Sequence, residues 1–331
     1  MAVLQIIGQR PRAGKTCLVG ALLALARERG KRVGYCKPFS PSPQADPDVA
    51  FVSFQLLAEG GSPEVPPPWP IPQAASAGSA LPADLGREIR AVVDRLEAAA
   101  DLVLVEGPDL YLPHGEGSHL GPELASLLNS RVLLLFGYAK GLDTATVANA
   151  GAPFGNRLAG VAINGVPLYR RREVDDTLLR DLRSRGMPVM GALPEERAML
   201  AVTVQQIADY LGGSWVQEPV NTDAYVDRFL IGGNIMDSGP TYFGRFQHQA
   251  VVTRAERPDI QLASLTGATR CLVLTGGAQP TEYVKAEALQ RDVPLILVQE
   301  DTLTTAAALG GLLAQANPYS QQKVQRFAEL V

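Results

Sequence analysis

The hydrophobic positions of this chain follow two alternating patterns. Short apolar runs, of the length of buried strands, alternate with longer segments whose apolar residues recur at the spacing of one helical face. Val3 to Ile7 is such a run, and Leu18, Leu22 and Leu25 within Cys17 to Arg29 predict the helix after it. Arg32 to Cys36 predicts a second strand beyond the helix stop at Gly30. In Asp84 to Ala100 the residues Leu85, Ile89, Val92, Val93 and Leu96 share a helical face. Asp101 to Val105, Arg131 to Phe136 and Leu158 to Ile163 are near-continuous apolar runs, the mark of strands in a parallel sheet covered on both faces. Glu173 to Arg185 predicts a charged amphipathic helix, Pro188 to Gly191 a short strand, and Thr203 to Leu211 a helix closed by Gly212-Gly213. Strands alternating with helices over residues 1–213 predict a doubly wound, mostly parallel α/β sheet.

Gly212 to Pro219 reads as a domain boundary, after which the pattern restarts on a smaller scale. Ala250 to Thr253, Arg270 to Leu274 and Pro294 to Val298 predict strands. Pro258 to Thr266, Thr281 to Arg291, Thr302 to Ala316 and a segment from Ser320 predict helices. The expected domains are therefore 1–213 and 220–331, both α/β. Residues 60–83 interrupt the first: Pro66-Pro67-Pro68-Trp69-Pro70 permits no helix, and an irregular excursion is expected there.

Composition narrows the function classes. A chain of 331 residues with 46% hydrophobic residues can bury a core in each half. Lys+Arg 30 against Asp+Glu 34, a net charge of −4, offers no general basic field for nucleic acid. No apolar run reaches the length of a membrane-spanning helix, and the start, Met-Ala-Val-Leu-Gln, lacks the basic region of a signal peptide. A cytoplasmic protein without nucleic-acid or membrane partners is expected. Cys17, Cys36 and Cys271 are widely spaced and suit reduced thiols.

The candidate chemistry is concentrated at strand ends. Gly8-Gln9-Arg10-Pro11-Arg12-Ala13-Gly14-Lys15-Thr16 lies between the first strand and the first helix. In that order, backbone N–H groups close around an anion and the helix N-terminus adds favourable partial charge. Lys15 is expected on the outer phosphates and the Thr16 hydroxyl on Mg²⁺. Lys37 ends the second strand beside this loop, where open α/β sheets bind ligands; a solvated lysine is the alternative. In Asp46-Pro47-Asp48, Asp48 is a candidate Mg²⁺ ligand or the cap of a helix from Val49. Glu106 ends a buried strand and is a second candidate for Mg²⁺, or a cap for the next element. Asn164 can present its amide to a purine edge. His114-Gly115-Glu116-Gly117-Ser118-His119 matches no strong metal signature and reads as a loop. Thr275-Gly276-Gly277, with Arg257, outlines a candidate site for a small anionic effector, and the glycines equally suit a tight strand-to-helix turn.

Gly8-x5-Gly14-Lys15-Thr16, Lys37-Pro38, Val105-Glu106-Gly107 and Asn164-x-x-Pro167 occur in this order in dethiobiotin synthetase and its relatives, and the first half of the chain resembles that family. The resemblance implies ATP on Gly8, Gly14, Lys15, Thr16 and Cys17, with Asn164 on adenine. It implies Mg²⁺ on Thr16, Asp48 and Glu106, and Lys37 on an acid substrate. It further implies a homodimer, and activation of a carbamate as a carbonic-phosphoric anhydride. Arg10 lies where dimeric ATPases of related fold carry a lysine that reaches the partner's nucleotide, so Arg10 joins Lys15 and Lys37 as a catalytic candidate.

The second half is similar to the DRTGG domain through Glu256-Arg257-Pro258-Asp259-Ile260, Leu274-Thr275-Gly276-Gly277 and Glu300-Asp301-Thr302-x-Thr304-Thr305. The combination resembles the N-terminal regulatory region of long bacterial phosphotransacetylases, as does Gly191 to Arg197; their acetyltransferase domain is not in this sequence. The implied function is a nucleotide-binding regulatory protein with slow Mg²⁺-dependent ATP hydrolysis, acting through a small anionic effector or a partner enzyme. The alternative is an ATP-dependent ligase of dethiobiotin-synthetase type acting on another carboxylate or amine. Arg10-Pro11-Arg12 stands where dethiobiotin synthetase has Asp-Thr and a variable residue. That difference and the excursion at 60–83 count against dethiobiotin as the product.

Overall fold

A computed structural model describes residues 2–57, 65–71, 81–111, 119–233, 239–265, 268–313 and 315–331. The chain forms two compact units, Met1–Glu196 with Pro318–Val331, and Arg197–Asn317.

In the first unit the strands are β1 (Ala2–Gly8), β2 (Val33–Cys36), a short pair β3 (Phe39–Ser40) and β4 (Trp69–Pro70), β5 (Leu102–Glu106), β6 (Arg131–Gly137), β7 (Leu158–Val166) and β8 (Val189–Pro194). The helices are α1 (Lys15–Glu28), α2 (Pro47–Leu57), α3 (Ala83–Ala99), α4 (Leu120–Leu127), α5 (Thr144–Gly151), α6 (Arg171–Glu173) and α7 (Arg180–Ser184). A π-helical turn, Val174–Leu179, joins α6 to α7 where one amphipathic helix is expected. The six-stranded sheet has the order β2-β5-β1-β6-β7-β8, and every pairing in it is parallel. The stripe expected on α3 is buried, with Ile89, Val93 and Leu96 against Val103 and Val105. Ile7, Leu134, Phe136 and Ile163 form a second core with Val147 and Leu182.

β1 lies in mid-sheet, with β2 and β5 on one side and β6 to β8 on the other. The strand order therefore reverses at β1, and a crevice for ligands forms outside its carboxyl end. The loop Gln9 to Gly14 sits there.

The second unit holds β9 (Val202–Thr203), β10 (Ser214–Trp215), β11 (Tyr225–Val226), β12 (Arg228–Gly232), β13 (Gln249–Arg254), β14 (Thr269–Thr275) and β15 (Leu295–Leu297). Its helices are α8 (Val204–Leu211), α9 (Gly239–Phe243), α10 (Pro258–Ser264), α11 (Glu282–Gln290) and α12 (Thr302–Leu313). The five-stranded sheet has the order β10-β15-β14-β13-β12, parallel except for the edge strand β10.

The division differs from the one expected. Gly212 is the left-handed cap that ends α8, not a linker. α8 buries Val204, Ile207 and Ala208 with Val252, Val273 and Leu309, so it belongs to the second core. The last helix, α13 (Gln321–Ala328), belongs to the first unit, because its buried face, Val324 and Phe327, packs against α1. No described helix is long and apolar enough to cross a membrane.

Candidate functional site

The turn after β1 is shaped by glycine. Gly14 is the N-cap of α1 with φ 102°, a left-handed backbone disfavoured for other residues. A Cβ there would also lie 2.5 Å from Asn164 Nδ2. Asn164, near the end of β7, donates from Nδ2 to the Ala13 carbonyl at 2.9 Å. In this structure Asn164 therefore braces the phosphate loop, a role the sequence did not suggest. Gly8 closes β1 and accepts from the Leu110 N–H at 2.9 Å. Arg10 is exposed on the loop.

The start of α1 brings the chemistry together. The Thr16 hydroxyl has one proton and two carboxylate neighbours, Asp48 Oδ1 at 2.9 Å and Glu106 Oε1 at 3.0 Å. Tyr35 OH donates to Glu106 Oε2 at 2.9 Å, and Tyr319 OH donates to Asp48 Oδ1 at 3.0 Å. Lys37 Nζ donates to Asp46 Oδ2 at 2.8 Å and pairs with Asp48. Ser40 Oγ donates to Asp46 Oδ2 at 2.6 Å. Lys15 pairs with Asp109.

Lys37 is thus held by two carboxylates, not solvated. The cap at the start of α2 is also reassigned: Asp46, not Asp48, accepts from the Val49 N–H at 2.9 Å. Asp48 is left facing Thr16.

Burial sets the electrostatics. Glu106 is 2% exposed, and burial raises its pKa, as does the charge of Asp48; Lys37, Lys15 and the Tyr35 hydroxyl oppose this. Burial also raises the pKa of Asp109, against the pull of Lys15. Burial opposes the charge of Lys37, but Glu106, Asp48 and Asp46 together hold its pKa above the usual value. Among the described residues four carboxyl groups, Asp46, Asp48, Glu106 and Asp109, face two ammonium groups, Lys15 and Lys37, an excess of two acidic side chains. A divalent cation fits that imbalance. Thr16, Asp48 and Glu106 offer only hard oxygen atoms, and Mg²⁺ is usually held by one or two carboxylates plus phosphate and water. Among the described residues no set of three or more His, Cys, Asp or Glu side chains has the arrangement of an all-protein metal cage.

Cys17 follows Thr16, but burial pushes its thiol up to about 12, so it packs rather than reacts. Cys36 and Cys271 are likewise pushed up to about 12 by burial. His114 and Glu116 lie outside the described residues, and His119 is exposed before α4.

In the second unit the N–H groups of Gly276 and Gly277, which an anionic effector would need, are already paired. They donate to the carbonyls of Glu300 at 2.9 Å and Val298 at 3.0 Å. The two glycines have φ 89° and 73°, so they close a tight turn. The Thr275 hydroxyl is 2.8 Å from that of Thr302, and Arg257 makes a two-point pair with Asp259 at 2.9 and 2.7 Å. The polar groups of that candidate effector site are satisfied by the fold itself.

Sequence reasoning passed over Asp109, Tyr35, Ser40 and Tyr319. Asp109 carried a signal, since it follows Glu106-Gly107-Pro108 at the end of a buried strand. Tyr319 carried none, being 271 residues from the carboxylate it touches.

A family model described as AAA domain matches residues 2–203, and one described as DRTGG domain matches residues 206–312. The ATP-dependent dethiobiotin synthetase BioD of Parafrankia sp. (strain EAN1pec) is 33% identical over 213 residues, spanning 60% of this chain and 87% of the relative. Its counterpart in Rhodococcus erythropolis (strain PR4 / NBRC 100887) is 27% identical over 231 residues, spanning 66% of this chain and 99% of the relative. Among solved structures, the CBS and DRTGG domains of the regulatory region of Clostridium perfringens pyrophosphatase, complexed with the activator diadenosine tetraphosphate, align with a TM-score of 0.27 and 16% identity. That alignment covers 37% of this chain and 49% of the other.

Proposed function

We propose that this chain, which belongs to the AAA domain family through residues 2–203, is related to the ATP-dependent dethiobiotin synthetases and carries a DRTGG domain, is a regulatory protein that binds ATP with Mg²⁺ and hydrolyses it slowly. The observation that carries the reading is the Thr16 hydroxyl set between Asp48 and Glu106, in a cluster with an excess of two acidic side chains beside the phosphate loop. Thr16, Asp48 and Glu106 would hold Mg²⁺, which supplies charge neutralisation at the transferring phosphoryl group. Lys15 exchanges Asp109 for the outer phosphates of the nucleotide. The loop N–H groups and the N-terminus of α1 bind the remaining phosphate charge. Arg10, exposed on the loop, is available to the nucleotide of a partner protomer in a cytoplasmic homodimer. The DRTGG domain passes the nucleotide state on, to a small effector or a partner enzyme.

A second reading, a ligase of dethiobiotin-synthetase type, is favoured by the extent of the match to those enzymes. In that reading Lys37 meets the substrate carboxylate, and it must first leave Asp46 and Asp48. Phosphate release from Mg²⁺-ATP by the purified chain, with and without candidate acids and amines, separates the two. Slow release independent of any acid supports the regulatory protein, whereas strict dependence on an acid or amine supports the ligase. Absence of calorimetric binding of Mg²⁺-ATP and Mg²⁺-ADP overturns both.

A further inference from the structure

The chain leaves the first unit after Glu196 and rejoins it at Pro318. The second residue of the returning segment, Tyr319, reaches the candidate cation site. Its ring lies 5.5 Å from that of Phe51 on α2, tilted by 52°, and its hydroxyl donates to Asp48 Oδ1 at 3.0 Å. The same oxygen faces the Thr16 hydroxyl at 2.9 Å, while Lys37 pairs with Oδ2. Ser320 then caps α13 through its side chain, and α13 buries Val324 and Phe327 beside α1, the helix that begins with Lys15 and Thr16. The placement of Tyr319 is thus fixed from three directions: by its own ring contact, by the helix cap after it, and by the docking of α13.

We propose that Tyr319 is a positioning residue of the cation site: it orients the Asp48 carboxylate for Mg²⁺, so that the segment following the second unit in sequence is part of the nucleotide machinery of the first. This rests on the reading of Thr16, Asp48 and Glu106 as the Mg²⁺ site. A carboxylate on a short side chain turns freely about its last bond unless both oxygens are held. Lys37 holds one oxygen of Asp48 and Tyr319 the other. A carboxylate oxygen has two lone pairs, so Oδ1 can keep its bond from Tyr319 while the second lone pair turns to a cation. Ligating carboxylates are themselves commonly hydrogen-bonded in this way, and loss of such a partner weakens metal binding.

The test is Tyr319→Phe, which keeps the ring against Phe51 and removes only the hydroxyl. ADP binding to the full chain is followed by calorimetry, in EDTA and across a Mg²⁺ titration. The variant is expected to need roughly tenfold more Mg²⁺ for half of the Mg²⁺-dependent gain in affinity, with ADP affinity in EDTA changed by less than about twofold. Val324→Ala serves as a control, because it loosens α13 without touching Asp48. It is expected to lower the melting temperature and leave the Mg²⁺ requirement as in the wild type. If the wild type binds ADP with no dependence on Mg²⁺, the cation site itself is wrong and the inference falls with it. If the wild type depends on Mg²⁺ and Tyr319→Phe has the same requirement, the site stands and the role of Tyr319 is overturned. An equal shift in Val324→Ala also overturns it, since helix docking and not the hydroxyl is then responsible.

Discussion

Thr16 Oγ1 and Glu106 Oε1 are 3.0 Å apart at the site and 90 residues apart in the sequence. The contact joins the first turn of α1 to the end of β5, and it is possible because β5 and β1 are parallel neighbours, with Glu106 in register with Ile6. Glu106→Gln keeps one acceptor oxygen for Thr16 or Tyr35, sets an amide N–H group against the other hydroxyl, and removes the buried charge. Mg²⁺ affinity is expected to fall about tenfold or more, and most ATP turnover with it. Stability should hold or rise, because the buried carboxylate already carries a desolvation cost. Unchanged hydrolysis together with an unchanged Mg²⁺ requirement would show that Glu106 is structural.

Lys15→Ala removes the cation expected on the outer phosphates. Loss of a charge-assisted contact of this kind costs about 2–3 kcal/mol, or roughly a hundredfold in nucleotide affinity. The fold should survive, since among the described residues Lys15 pairs with Asp109, and both side chains are partly exposed, at 13% and 18%. Calorimetric titration giving equal ATP affinity in wild type and variant would refute the phosphate role.

Asp109 holds Lys15 in the structure, so nucleotide phosphate must compete with a carboxylate for the ammonium group. Asp109→Asn weakens that hold and removes a negative charge beside the phosphate loop. Affinity for ATP is expected to rise by about threefold to tenfold, from the removal of one repulsive charge in a partly buried setting. A fall in affinity would mean that Asp109 acts on the bound nucleotide or its cation, not as a placeholder on Lys15.

Much of this was legible in the sequence because strand ends declare themselves. Gly8, Lys37, Glu106 and Asn164 each end or follow an apolar run, Lys15 opens the helix one loop beyond Gly8, and a parallel sheet gathers such ends along one edge. What stayed hidden depended on long-range packing. Asp46 and Asp48 look alike as text, and only the start of α2 assigns the cap to one and leaves the other against the Thr16 hydroxyl. Asn164 has the chemistry to read a base, and it is the close approach of β7 to Gly14 that turns it towards Ala13. Gly276 and Gly277 suggest open N–H groups until the carbonyls of Glu300 and Val298 are seen to fill them. The last helix has the amphipathic pattern of any surface helix, and nothing in that pattern names α1 as its partner.

The returning helix also carries a buried lysine whose titration is measurable. Lys323 is 5% exposed, and burial pushes its pKa down to about 8 from 10.5. Below pH 8 it is charged in both folded and unfolded chains, and the desolvation cost of the folded state is present in full. Between pH 8 and 10.5 the unfolded chain binds more protons than the folded one, so this group makes stability rise with pH. Lys323→Met keeps an unbranched side chain one atom shorter and removes the charge. The variant is therefore expected to be more stable than the wild type at pH 7, by up to about 3 kcal/mol for a shift of this size. Its advantage should shrink through pH 8 to 10.5 and vanish above. Buried thiols pull the other way at high pH, since Cys17, Cys36 and Cys271 resist ionisation only when folded. Cys36 and Cys271 are common to both proteins and cancel in the difference between two denaturation series, whereas Cys17 feels the charge of Lys323, so the series are compared in a Cys17→Ala background. A difference that is flat from pH 7 to 10.5, or a variant less stable at pH 7, would show that Lys323 contributes through contacts its ammonium group makes in the fold, and not through the cost of burying it.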